Sequence, residues 1–313
     1  MGFLFQGQWR DEWYDTKKSG GRFLRQDSHF RHQLGSQEFP IEKDRYHLIV
    51  SPACPWAHRC LIFRALKGLE DWISLSEVDA VMLDKGWVLR SSEESFGGLS
   101  YLYELYLLSD SAYEGRVTVP VLWDKKQKCI INNESSDIIR QFNHAFKDVK
   151  KHDFDYYPEA LRDEIDKIND MVYHNINNGV YKVGFATNQK VYEEAFDQLF
   201  SALDQLDQLL SKNRYLCGDV LTEADWRLFT TLIRFDAVYV GHFKCNLKQI
   251  KDYPNLSGFL RELYQMPKIK ETLNMNDIKT HYYVSHPMIN ANQIVPKGPE
   301  LDFDLPHGRE KLS

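Results

Sequence analysis

The chain has 313 residues, 43% hydrophobic and 27% charged, with a formal net charge of −6. That balance suits a globular protein large enough for two domains and excludes the basic footprint of a nucleic-acid binder. No apolar run approaches the roughly 20 residues of a membrane-spanning helix, and Met1 to Arg10 lack the charged start and long apolar core of a secretory signal.

Residues 1 to about 43 are rich in Trp, Tyr, Phe, Arg and Gly, with Gly20-Gly21 as a break. Trp9, Trp13, Tyr14, Phe23 and Phe30 need somewhere to bury, so this stretch is expected to pack on the body as an extension. Tyr46 to Val50 then alternates as a strand, and Leu61, Ile62, Ala65, Leu66 and Leu69 repeat as the apolar stripe of a helix. Trp72 to Val78 reads as a second strand, parallel to the first if the helix is a right-handed crossover. Between Asp84 and Gly115 lies a polar, tyrosine-rich stretch with Gly97-Gly98, long enough to be a functional insertion.

Arg116 to Asp124 is apolar like a strand, yet Pro120 inside it demands an edge, a bulge or a special turn. Cys129 to Asn132 is its hairpin partner, and Glu134-Ser135-Ser136-Asp137 opens a helix through Ile138, Ile139 and Phe142. This β-α-β unit, hairpin and closing helix make the thioredoxin pattern over about 44–150. Beyond Tyr157-Pro158 the period is helical almost to residue 275, giving a helical domain over 151–280, with stripes at Leu199, Leu203, Leu206 and Leu210 and at Leu228, Leu232 and Phe235. Thr222-Glu223-Ala224-Asp225 is a capping box ahead of the second stripe. Residues 281–313 mix aromatics, Pro and Gly and are expected to wrap back. The fold class is therefore α/β plus all-α, a thioredoxin-like domain followed by a helical one.

Cys54 sits where the first strand turns into its helix, with Pro55 at the first helical position, where a missing N–H costs nothing. The unpaired N–H groups and positive end of that helix favour a thiolate over a thiol, and so a nucleophile over a buried structural cysteine. His58, one turn on, either tunes Cys54 or packs beneath the strand. Cys60 lies roughly 240° round the helix from Cys54, so it is not a resolving partner. Ala57 stands where the second cysteine of a C-x-x-C motif would be, so any mixed disulfide must be resolved from outside. Cys54, His58 and Cys60 cannot all face one ion from a regular helix, so no metal is expected. The scattered Cys54, Cys60, Cys129, Cys217 and Cys245 make no disulfide framework and suit a reducing, cytoplasmic setting.

A thioredoxin-like module followed by helices is the glutathione transferase architecture. Within it, Cys54-Pro55-Trp56-Ala57-His58, Gly86-Trp87, Arg116 to Asp124, Asn133-Glu134-Ser135, Asn178 to Ala186, Arg234 to Tyr239 and His281-Tyr282-Tyr283 resemble the glutathionyl-hydroquinone reductases, or Xi-class glutathione transferases. The resemblance runs nearly end to end, including the Trp-rich start and Gly298-Pro299.

That resemblance implies glutathione as co-substrate, aromatic glutathionyl-hydroquinones as substrates, and a homodimer. Cys54 is then the nucleophile. Pro120 matches the family's cis-proline, which would leave Val119 free to pair its backbone with the cysteinyl part of glutathione, with Val117 and Thr118 also among the glutathione-binding residues; an ordinary edge proline is the rival reading. Glu134 would take the γ-glutamyl ammonium and Ser135 its carboxylate, although Glu-Ser alone would serve as a simple cap. Trp87 and Arg116 match further glutathione contacts. Tyr181 is implied as the proton donor to the ring carbon, and Tyr239 and Tyr282 as lining the aromatic site and supporting the thiolate. His281 and Tyr283 are either neighbours or core residues. An omega-like reductase of dehydroascorbate or protein mixed disulfides is the enzymatic alternative, and a non-catalytic binding or assembly module the other.

Overall fold

The computed structural model describes residues 2–90, 96–148 and 154–312. In chain order its elements are β1 (Phe3–Phe5), β2 (Gln8–Arg10), β3 (Tyr46–Val50), α1 (Pro55–Leu66), β4 (Ile73–Glu77), α2 (Leu102–Ser109), β5 (Gly115–Arg116), β6 (Val121–Asp124), β7 (Cys129–Asn132) and α3 (Ser135–His144). Helices α4 (Arg162–Val172), α5 (Gly179–Gly184), α6 (Gln189–Leu210), α7 (Glu223–Arg234), α8 (Pro254–Tyr264) and α9 (Met275–Val284) follow. These elements fall into two compact units: Met1–Trp13, Arg25–Phe154 and Thr272–Pro287 form the first, and Tyr14–Leu24, Asp155–Glu271 and Met288–Ser313 the second. The units thus exchange segments along the chain, and the seams expected at 43 and 280 are not theirs. The seam expected at 150 lies outside the described residues.

The first unit is built on a four-stranded sheet of order β4-β3-β6-β7. β3 runs parallel to β4 and antiparallel to β6, as the crossover through α1 requires. All five residues of β3 are buried, so its apolar run belongs to a central strand covered on both faces. Pro120 stands just ahead of β6, where its missing N–H removes no ladder bond, so β6 can still lie between two neighbours. Of the three sequence options the special turn is the one found. The stretch at 84–115 expected as an insertion contains α2, whose Leu102, Leu105 and Tyr106 are buried. The N-terminal stretch supplies two unexpected strands, since β1 pairs with both β2 and β5 in a second small sheet.

The second unit is helical. Leu199, Leu203, Leu206 and Leu210 are all buried along α6, as their spacing implied. Asp225 accepts the N–H of Leu216 at 2.8 Å, the N–H of Thr222 at 2.8 Å and the Thr222 hydroxyl at 3.0 Å. Burial pushes its carboxyl up to about 6 against the pull of those bonds from Leu216 and Thr222. Asp225→Ala should therefore cost about 3 kcal/mol, because two main-chain N–H groups are left unsatisfied in the core. A urea unfolding midpoint on the folded variant measures the loss. Because the folded value lies above the unfolded one, the carboxyl's own titration stabilises fully below about pH 4 and loses that contribution as pH rises through 6. Asp225→Asn should flatten the stability profile across that window.

The C-terminal stretch packs within the same unit. Arg309 donates to the carbonyls of Leu210 at 3.1 Å, Asn213 at 2.8 Å and Arg214 at 2.6 Å, satisfying acceptors at the end of α6. Lys270 pairs with Asp304 at 2.8 Å, and Gln265 donates to the carbonyls of Phe303 and Leu305. Helix α9 and the residues after it through Pro287, by contrast, belong to the first unit.

Candidate active site

Strand β3 ends at Val50, and Ser51 to Ala53 turn the chain into α1. Cys54 is the N-cap of that helix, in extended conformation, and Pro55 opens the first turn. Its carbonyl accepts the His58 N–H at 2.9 Å, so the helix ladder begins at the cysteine itself. The half-buried thiol lies 3.6 Å from the carbonyl oxygen of Val119. The Val119–Pro120 peptide bond is cis.

The other thiols are poorly placed for chemistry. Burial pushes Cys60 and Cys245 well above the ordinary thiol range, Cys129 up to about 11 and Cys217 up to about 12. A thiol held protonated is a weak nucleophile, which leaves Cys54 as the chemically interesting cysteine. His58 is fully buried, with Nε2 2.8 Å from the Thr272 hydroxyl. That bond ties α1 to the segment before α9 and favours the packing reading of His58. Among the described residues no group of three His, Cys, Asp or Glu is gathered as a metal would need.

The first unit that carries Cys54 also contains Trp87, Arg116, Val117, Thr118, Val119, Glu134, Ser135 and Tyr282. Tyr106 shapes the loop before Pro120: its hydroxyl donates to the Thr118 carbonyl at 2.7 Å and lies 3.2 Å from the Thr118 N–H. Thr118 main-chain groups are therefore engaged within the protein, and Val117 is buried. Among the described residues the Val119 N–H has no hydrogen-bond acceptor, which suits it to an added strand.

Glu134 is the N-cap of α3. Its carboxylate accepts the Ser136 N–H at 3.0 Å, the Ser136 hydroxyl at 2.9 Å and the Ser28 hydroxyl at 3.0 Å. Burial raises its pKa, but the bonds from Ser136 and Ser28 and the nearby Arg59 charge outweigh it, and the net shift is downward. The group is thus an ionised carboxylate in a half-buried place, fit for an ammonium. Ser135 is buried at the first turn of α3, with the Arg59 guanidinium 3.5 Å from its hydroxyl. Arg59 in turn lies over the Trp56 ring at 4.6 Å.

Trp87 is buried and stacks on His281 at 4.9 Å and 19°. Its indole N–H has no acceptor among the described residues, an orphan donor whose burial calls for a partner. His281 also meets the Ala80 carbonyl at 2.8 Å through Nδ1, so it is a core residue that backs Trp87. Tyr282 is buried, with its ring 5.3 Å from His281 and 5.7 Å from His286. Arg116, in β5, donates to the Glu12 carbonyl and sits over the Phe3 ring at 5.1 Å.

Tyr181 and Tyr239 lie together in the second unit, ring centroids 6.3 Å apart. Phe243 stacks on Tyr239 at 5.5 Å and meets Tyr181 edge-on at 5.5 Å. Gly184 makes this cluster possible, since a Cβ there would overlap the Phe243 ring. Phe23 joins from the N-terminal stretch, 6.2 Å from Tyr181. Phe23 is marked only as an aromatic needing burial, and nothing in the sequence gives Ser28, Arg59 or Phe23 a place in the site, because their partners lie far along the chain.

Comparison with known proteins is consistent with this geometry. The glutathione S-transferase N-terminal domain family matches residues 53–145, and the C-terminal domain family residues 189–262. The glutathionyl-hydroquinone reductase YqjG of Escherichia coli K12 is 53% identical, over 99% of both chains. PcpF of Sphingobium chlorophenolicum, named likewise, is 54% identical over 96% of both. The solved structure of YqjG with glutathione bound matches with a TM-score of 0.87, covering 90% of this chain and 96% of that one. The Xi-class glutathione transferase of Natrialba magadii matches with a TM-score of 0.93 at 46% identity, covering 100% of this chain and 98% of that one. The chain belongs to the glutathionyl-hydroquinone reductases, the Xi class of glutathione transferases.

Proposed function

We propose that this protein reduces S-glutathionyl-hydroquinones to hydroquinones with glutathione. The observation that carries the reading is Cys54 at the N-terminus of α1, its sulfur 3.6 Å from the Val119 carbonyl. The Cys54 thiolate attacks the sulfur of the bound conjugate. The carbon–sulfur bond breaks, its electron pair stays on the ring carbon, and Tyr181 delivers the proton that completes the hydroquinone. Glutathione is left in mixed disulfide with Cys54. A second glutathione thiolate attacks its sulfur, releasing glutathione disulfide and regenerating the Cys54 thiolate.

Glutathione is held by groups that suit its parts. The Val119 N–H pairs with the cysteinyl backbone, Glu134 takes the γ-glutamyl ammonium, and Ser135 with the first N–H groups of α3 takes the α-carboxylate. Trp87 and Arg116 offer an indole N–H and a guanidinium to the remaining carbonyl and carboxylate oxygens. Val117 and Thr118 shape the turn that presents Val119. Tyr239 and Tyr282 line the aromatic part of the site and favour the thiolate. The expected domains, about 44–150 and 151–280, each contain one matched family region. A cytoplasmic homodimer completes the reading.

The direct test mixes purified protein, free glutathione and a glutathionyl-hydroquinone, and follows hydroquinone and glutathione disulfide by chromatography. Equal amounts of the two products are expected. Consumption of dehydroascorbate with no hydroquinone released would replace this reading with the omega-like one.

A further inference from the structure

The N-terminal hairpin and the segment after it touch the proposed glutathione contacts from behind. Trp9, in β2, donates its indole N–H to the Asp84 carbonyl at 2.7 Å and stacks on Tyr103 at 5.0 Å and 17°. Its ring lies flush against Gly86, where a Cβ would come within 2.8 Å of the indole and where φ is +69°. Trp87 follows directly, so Trp9 fixes the turn from which Trp87 projects. The Leu83 carbonyl closes that turn on the Gly86 N–H at 2.9 Å. On the other side, the Ser28 hydroxyl binds Glu134 Oε2 at 3.0 Å and faces the Asn133 carbonyl at 3.3 Å. Phe30 N–H donates to the Asn133 side chain at 3.1 Å, so the segment grips the entry to α3 at more than one point.

We propose that Trp9 and Ser28 are positioning residues for glutathione, Trp9 acting through the Trp87 turn and Ser28 through the Glu134 carboxylate. The inference rests on the glutathione-contact roles proposed above for Trp87 and Glu134. Neither Trp9 nor Ser28 belongs to the thioredoxin-like region itself. A short turn carrying a glycine at positive φ is otherwise free to sample other shapes, and binding would then have to order it. A carboxylate held at both oxygens, by Ser136 and by Ser28, meets an incoming ammonium without first choosing a rotamer.

The test compares Trp9→Ala, Trp9→Phe and Ser28→Ala with the wild type in the full chain, after circular dichroism establishes folding. Glutathione affinity is read by calorimetry, and kcat and KM for glutathione by hydroquinone release. Trp9→Ala should weaken glutathione binding about tenfold and Ser28→Ala about fivefold, with kcat at saturating glutathione within twofold of wild type. Trp9→Phe should recover most of the loss, since a ring still fills the space over Gly86. A merely structural role would lower kcat and folded yield together and leave the affinity of the folded fraction unchanged. Should Trp9→Ala fail to fold, Ser28→Ala and Trp9→Phe decide alone, expected at about fivefold and about twofold weaker binding. Unchanged affinity in the folded variants overturns the proposal. Weakened glutathione binding in a protein that releases no hydroquinone would keep the positioning roles and discard the proposed activity.

Discussion

Cys54→Ser is expected to abolish hydroquinone release while glutathione still binds. A serine hydroxyl cannot enter a mixed disulfide, so the exchange step is closed whatever its protonation state. None of the other cysteines can substitute, because burial holds Cys60 and Cys245 far up and Cys129 and Cys217 near 11 and 12. The loss should therefore reach the detection limit, on the order of 10⁴-fold or more, as expected when a covalent nucleophile is removed. Binding should survive within about threefold, since it is assigned to Trp87, Arg116, Val119, Glu134 and Ser135, and small polar substitutions at a helix cap are well tolerated. Calorimetry and chromatography on one preparation give both readings. Turnover at the wild-type rate would remove Cys54 from the mechanism. Cys60→Ser, buried on α1, should by contrast leave turnover intact.

Tyr181→Phe carries the second large effect. The hydroxyl is asked to deliver a proton as the carbon–sulfur bond breaks, so its removal should lower kcat by about 10²-fold, the low end for general acid catalysis. Glutathione affinity should stay within twofold, because Tyr181 is given no part in holding the tripeptide. The ring itself should remain seated among Phe23, Phe185, Tyr239 and Phe243, which makes Phe a shape-preserving substitution. Single-turnover release of hydroquinone separates the chemical step from the later exchange with free glutathione. If affinity falls and the chemical step keeps its rate, Tyr181 is a binding residue.

Much of the first unit was legible because its signals are local. Tyr46 to Val50, Pro55 after Cys54, and the acidic and hydroxyl residues at Glu134 to Asp137 each announce an element within a few positions, and each element is found. The small sheet was not legible. β1 and β5 are three and two residues long and lie more than a hundred positions apart, and nothing in either stretch names the other. Helix α2 escaped because at eight residues it is too short for a helical period to stand out. Helix α9 was divided at 280 because its buried face carries the polar Asp277 and His281, which do not read as a core stripe until their partners are known. The same limit applies to the site. Cys54 is announced by its own neighbours, whereas Tyr181, Tyr239 and Tyr282 are three among 17 tyrosines, and only the family resemblance selected them.

The way the two units share the chain also governs how the protein can be made. The first unit needs Thr272, which meets His58, and α9, which brings His281 to Trp87; the second needs Arg309 at the end of α6. During synthesis the amino-terminal portion therefore emerges long before its own last helix has been translated. Neither unit can close until almost the whole message has been read, so the usual sequence of one domain finishing before the next begins is unavailable here. A gene cut between the matched family regions would yield two fragments, each lacking a strap that the other carries. Coexpression of such fragments, rather than either one alone, is the route by which a split form could assemble.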